Sequence, residues 1–102
     1  MKTFINKMIP ISQPSITEKE IDYVTNAIKS GWVSSLGKYI NEFEEKFADY
    51  CNTKYALTTS NGTTALHLTL VALGITSNDE VIIPDLTFVA TGNAVKYIGA
   101  NV

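Results

Sequence analysis

Tyr55-Ala56-Leu57-Thr58-Thr59-Ser60-Asn61-Gly62-Thr63-Thr64-Ala65-Leu66 passes from a short run of β-formers, through a tight polar turn, straight into an apolar run. Tyr55 to Thr59 reads as a strand. The run that follows, with Ala65, Leu66, Leu68, Leu70, Val71, Ala72 and Leu73, is apolar nearly all round, which predicts a buried helix ended by Gly74. Downstream, Val81-Ile82-Ile83 closed by Pro84 is a compact apolar strand of the kind buried in parallel sheets. Thr87 to Tyr97 reads as another helix stopping before Gly99, and Asn101-Val102 as the opening of a further strand.

Upstream, Thr17 with Glu20 three residues later fits a capping box. Ile21, Val24, Ala27 and Ile28 repeat at helical spacing up to Gly31. A second helix carries Ile40, Phe43, Phe47 and Tyr50 on one face, with Glu42, Glu44, Glu45 and Lys46 turned away from it. Gly31 to Gly37 is the loop between them. Strands alternating with helices predict an α/β fold with right-handed βαβ units, a parallel sheet and helices on its faces. The pattern breaks off partway through a further strand at Val102.

The bulk properties exclude several classes. A 102-residue chain holds one small domain or a piece of a larger one, and a domain of that size buries only about two thirds of its unfolded surface. With 45% hydrophobic and 18% charged residues the composition is that of an ordered soluble chain. A formal charge of -2 speaks against a nucleic-acid surface. Cys51 and His67 each stand alone, so no intrachain disulfide and no His/Cys metal cluster is expected. Met1 to Ser15 is broken by Lys7, Pro10 and Pro14 and does not read as a signal peptide. The uncharged stretch from Tyr55 to Asn78 carries too many polar groups and helix-breaking glycines for a membrane span, which leaves the cytoplasm as the default compartment.

Two places invite a ligand. A helix N-terminus offers unpaired N–H groups and a partial positive charge, so the turn at Asn61-Gly62-Thr63-Thr64 suits an anion such as phosphate. Gly62 would let backbone approach closely, with the Thr63 and Thr64 hydroxyls adding donors. The alternative is that Ser60 or Asn61 simply caps the helix and Gly62 shapes the turn. The stretch is neither a P-loop nor a dinucleotide fingerprint, since the required Gly-Lys-Ser/Thr and G-x-G-x-x-G spacings are missing. The second place, Pro84 to Thr91, follows a strand, and ligands of open parallel sheets bind beyond the carboxyl ends of strands. Phe88 there offers a flat face to an aromatic cofactor or is plain core, and Asp85 is an acidic group or a helix-start residue. Every basic residue is Lys, so a bidentate arginine clamp would come from elsewhere.

The strings Ile11 to Thr17, Ser30-Gly31-Trp32-Val33-Ser34-Ser35-Leu36-Gly37-Lys38-Tyr39, Thr59 to His67, and Pro84-Asp85-Leu86-Thr87-Phe88-Val89-Ala90-Thr91 resemble, in order, the DegT/DnrJ/StrS sugar aminotransferases, and look closest to their perosamine synthase branch. The resemblance implies the N-terminal part of a fold type I (aspartate-aminotransferase-like) pyridoxal-phosphate transferase. Residues 1–50 would be N-terminal helices and loop, and residues 51–102 the start of the cofactor-binding large domain. It further implies that Gly62 and Thr63 hold the pyridoxal 5'-phosphate group and that Phe88 stacks on its ring. Trp32 and Ser34 would lie near a substrate mouth at a homodimer interface. The implied reaction moves an amino group, usually from L-glutamate, to a 4-keto-6-deoxy sugar nucleotide, GDP-linked in the perosamine-like branch, for O-antigen (lipopolysaccharide) or other surface-glycan synthesis.

The family also needs a Schiff-base lysine in a Ser-x-x-x-x-Lys setting and an acidic residue within Glu-Asp-Ala-Ala, and neither string occurs here. Lys19, Lys29, Lys46 and Lys96 read as solvated helix charges, His67 and Cys51 as structural. No catalytic residue is therefore expected in this chain, which by itself would be inactive. A sugar dehydratase of the same family, an inactive truncated remnant and a stand-alone phosphate- or nucleotide-binding module remain alternatives.

Overall fold

A computed structural model describes residues 9–102, and the first eight positions, Lys2 and Lys7 among them, lie outside the described residues. Four helices follow one another: α1 Glu18–Ser30, α2 Lys38–Cys51, α3 Gly62–Ala72 and α4 Val89–Tyr97. The chain divides into two compact units, one running to Tyr39 and the other from Ile40 to Val102.

In the first unit, α1 starts where its capping box lies. The Thr17 backbone N–H donates to the Glu20 carboxylate at 2.6 Å, and the Thr17 hydroxyl donates to the same oxygen. The helix ends at Gly31, whose φ of 74° lies in the left-handed region that a side chain disfavours. Tyr23 and Tyr39 meet edge to face with ring centres 5.5 Å apart, and the Tyr39 hydroxyl donates to Asn26 Oδ1 at 2.8 Å. The apolar stripe of α1 (Ile21, Val24, Ile28) is exposed.

The second unit is held by small residues. Ala48, Ala94, Val95 and Ala100 are its buried apolar side chains, and α3 packs against α4. α2 stops in a Schellman motif. The Thr53 N–H reaches Ala48 O at 2.9 Å, the Asn52 N–H reaches Asp49 O at 3.1 Å, and Asn52 takes a φ of 51°. The end of α3 repeats this device, Ile75 to Leu70 and Gly74 to Val71, around Gly74.

The expected strands are the main departure. Tyr55 to Thr59 and Val81 to Ile83 belong to no helix or strand, and the pairing found among the described residues is one parallel bridge between Glu80 and Asn101. The bridge is closed by Val81 N–H to Asn101 O at 2.9 Å and Asn101 N–H to Asp79 O at 3.0 Å. It joins the segments on either side of α4 in the parallel sense. A strand acquires its hydrogen bonds from a neighbouring strand, and among the described residues none pairs with Tyr55 to Thr59.

For the same reason, two burial expectations fail. Ile82 is 99% exposed, and α3, apolar all round, has no buried residue. α4 begins at Val89 rather than Thr87, with Phe88 in extended conformation at its N-cap, so Asp85 is not a helix-start residue. Cys51 is exposed rather than packed. Lys96 turns its ammonium onto Ala100 O at 3.2 Å, which fastens the end of α4 to the bridge segment.

Candidate functional site: the turn that opens α3

Asn61 governs how α3 begins. Its extended backbone (φ -168°, ψ 170°) lets its side-chain oxygen accept the Thr64 N–H at 3.0 Å, while its own N–H donates to Thr64 Oγ1 at 3.3 Å. This is a reciprocal capping box with Thr in the usual Glu position. Ahead of it, the Thr59 hydroxyl donates to Asn61 O at 3.0 Å. Asn61 therefore caps the helix, as one reading of the sequence had it, but the cap spends itself on Thr64 alone.

The Gly62 and Thr63 N–H groups, the first two of the helix, have no hydrogen-bond partner among the described residues, and neither has the Thr63 hydroxyl. Ser60, Asn61 and Gly62 are exposed and Thr63 is half-buried, so the turn opens to solvent. A Cβ placed on Gly62 would touch nothing within 4 Å. Two free amides, one free hydroxyl and the positive end of an eleven-residue helix make a set of donors suited to a phosphate dianion. The fit to a phosphate group is thus met by donor chemistry.

The approach to this turn has a support that sequence reading missed. Glu44 of α2 accepts the Thr58 N–H at 2.8 Å and the Thr58 hydroxyl at 2.9 Å through one carboxylate oxygen. These bonds, backbone first and hydroxyl second, hold the Glu44 carboxyl below its ordinary value of 4.5. Read from the sequence, Glu44 was one of four charges facing away. Its partner lies fourteen residues on, outside the window of any helix-face argument.

Phe88 is 87% exposed and borders an open cleft of about 420 Å³ shared with Ile83, Pro84, Asp85, Asn93 and Val102. Gly62 and Thr63 do not line that cleft. The exposure of Phe88 is shared with its apolar neighbours Leu86 and Val89. The Thr87 and Thr91 hydroxyls are 2.9 Å apart. His67 packs its ring edgewise on Tyr97 at 5.8 Å within the α3–α4 contact.

In the other unit, Trp32 is exposed, and Ser34 is engaged within its own loop. The Ser34 hydroxyl donates to Leu36 O at 2.8 Å and accepts the Leu36 N–H at 3.1 Å. No group of His, Cys, Asp or Glu among the described residues is placed to hold a metal ion, and no helix among them is long and apolar enough to cross a membrane.

Comparison with known proteins bears on residues 14–102, which match the model of the DegT/DnrJ/EryC1/StrS aminotransferase family. The chain is 56% identical over 95 residues to the GDP-perosamine synthase of Escherichia coli O157:H7, covering 93% of this chain and 26% of that protein. It is 53% identical over 93 residues to the GDP-perosamine synthase of Vibrio cholerae, covering 91% and 25%. Among solved structures, the aminotransferase from Psychrobacter cryohalolentis superposes with a TM-score of 0.78 at 41% identity, over 89% of this chain and 24% of that one. A Streptococcus pneumoniae protein described as a sugar aminotransferase, in its PLP form, superposes with a TM-score of 0.80 at 35% identity, over 91% and 24%. The chain spans about a quarter of the length of the curated relatives it matches.

Proposed function

Because this chain belongs to the DegT/DnrJ/EryC1/StrS aminotransferase family, we propose that it forms the N-terminal part of a pyridoxal-phosphate-dependent sugar-nucleotide aminotransferase whose cofactor phosphate rests on the turn opening α3. The carrying observation is that the Gly62 and Thr63 amides and the Thr63 hydroxyl remain uncommitted while Asn61 caps Thr64. The amides grip the phosphate, the hydroxyl adds a third donor, and the helix dipole favours its charge. Phe88 supports one face of the cofactor ring and excludes water from it. What the cofactor supplies when bound is an electron sink for amino-group transfer.

The complete protein takes the amino group from L-glutamate and delivers it to a GDP-linked 4-keto-6-deoxy sugar, as the naming of its relatives supports. Trp32 and Ser34 border the substrate mouth. Residues 1–50 form the helical lead-in and 51–102 the start of the cofactor-binding domain, where the β-forming segments at Tyr55 and Val81 enter a parallel sheet. The protein acts as a cytoplasmic homodimer in surface-polysaccharide synthesis, O-antigen included. The test is to incubate the complete purified protein with glutamate, pyridoxal phosphate and GDP-4-keto-6-deoxymannose and to follow the nucleotide sugar by mass spectrometry. Replacement of the keto oxygen by an amino group is expected. Unchanged keto sugar with dTDP- and GDP-linked substrates alike would defeat the assignment.

A further inference from the structure

We propose that Glu44 is a positioning residue for the phosphate turn: its carboxylate pins Thr58 and so fixes the backbone that presents the Gly62 and Thr63 amides. The inference rests on the phosphate reading given above, and the geometry carries it in three steps. One carboxylate oxygen takes both the N–H and the hydroxyl of Thr58, at 2.8 and 2.9 Å, which fixes that residue's backbone and its χ1 together. From Thr58 four residues lead to Gly62, and three are stapled onward. Thr59 is bonded to Asn61 O, Ser60 Oγ lies 3.4 Å from Thr64 Oγ1, and Asn61 is boxed with Thr64. The Glu44 bonds tie this segment to α2 at Thr58, whose N–H they take up whatever pairs with the other residues of the segment. Loss of that tie frees the lead-in, and two amides that must converge on one anion lose their common direction.

The experiment is a 1H–15N spectrum of the complete protein, labelled at glycine and threonine, as wild type and as Glu44→Ala, Glu44→Gln and Thr58→Val, first without ligand and then titrated with pyridoxal phosphate, with pyridoxal as control. In the ligand-free spectra, Glu44→Ala and Thr58→Val are expected to shift the Gly62 and Thr63 amides while α3 and α4 resonances stay in place. Glu44→Gln, which retains an acceptor oxygen, should restore most of the wild-type positions. In the titration, Glu44→Ala should bind pyridoxal phosphate about tenfold more weakly, with pyridoxal unaffected, the order seen when a supporting hydrogen bond behind a binding group is removed. Unmoved Gly62 and Thr63 amides in ligand-free Glu44→Ala overturn the positioning role. So does an unchanged pyridoxal phosphate affinity in that variant. Shifted ligand-free amides combined with no response of the wild-type protein to pyridoxal phosphate overturn the cofactor reading instead. General loss of dispersion in Glu44→Ala but not in Glu44→Gln or Thr58→Val leaves those two variants to decide, by the same criteria.

Discussion

At Gly62 neither torsion nor packing calls for a missing side chain: its φ is not positive, and a Cβ there would meet open space. Under the proposed reading, glycine here leaves room for the phosphate group to come close. In the complete protein Gly62→Ala is therefore expected to raise stability in urea by about 0.4–1 kcal/mol through the unfolded state, while pyridoxal phosphate affinity falls. A loss of both stability and affinity would point to a structural glycine. Thr63→Val removes one donor to a charged group and should weaken pyridoxal phosphate binding by about ten- to a hundredfold, with urea stability nearly unchanged. Acid sensitivity also belongs to single residues. Glu20, Glu44 and Asp79 each accept both the N–H and the hydroxyl of a threonine (Thr17, Thr58 and Thr76), and each is held below its ordinary value by those bonds. A lowered folded value means these bonds contribute fully above the ordinary carboxylate range and are lost as pH falls through the folded values. Resonances of Thr17, Thr58 and Thr76 should move together with carboxyl titration below pH 4.5, the ordinary value for Glu, and Glu44→Gln should abolish the movement at Thr58 alone.

Helix ends could be read from the sequence because their signals are local. Thr17 with Glu20, Gly31, Asn61 and Gly74 each act within a few residues of themselves, and the structure uses each at the expected end. α4 starts two residues later than the expected Thr87, whose hydroxyl pairs with Thr91 while Phe88 takes the N-cap position. Strands were less legible for a physical reason. Tyr55 to Thr59 has the composition of a strand, but ladder bonds come from another segment, and here Thr58 satisfies its N–H on a helix carboxylate instead. At the candidate site, the turn was legible from its residue order, whereas the Glu44 support, a long-range contact, was not. For α3 as an element, Asn61→Ala should cost about 1 kcal/mol by loss of the N-cap. Urea unfolding followed by circular dichroism measures it. Asn61→Asp, which keeps the acceptor, should restore the stability but weaken phosphate binding, because it sets a negative charge beside the anion.

Across the whole chain the apolar surface is distributed in a way that predicts its solution behaviour. Among the described residues the buried apolar side chains are three alanines and one valine, while Leu57, Leu66, Leu68, Val71, Leu73, Ile82 and Phe88 are exposed among others. Burial of alanine removes little area from water, so the hydrophobic gain falls far short of what offsets the conformational entropy of ordering about a hundred residues. An all-round apolar α3 and apolar, β-forming segments without a ladder among the described residues are features of elements that are covered on several sides, and the relatives are about four times as long. The isolated 102-residue chain should therefore bind ANS, unfold over a broad temperature range and shift its midpoint with concentration as copies cover one another's apolar faces. A protein of the relatives' length should exclude ANS and melt in one sharp step whose midpoint rises on addition of pyridoxal phosphate. Calorimetry of both over a hundredfold range of concentration makes the comparison. A sharp, concentration-independent transition in the short chain would mean that these faces are stable in water, and the argument that they await a covering layer would fail.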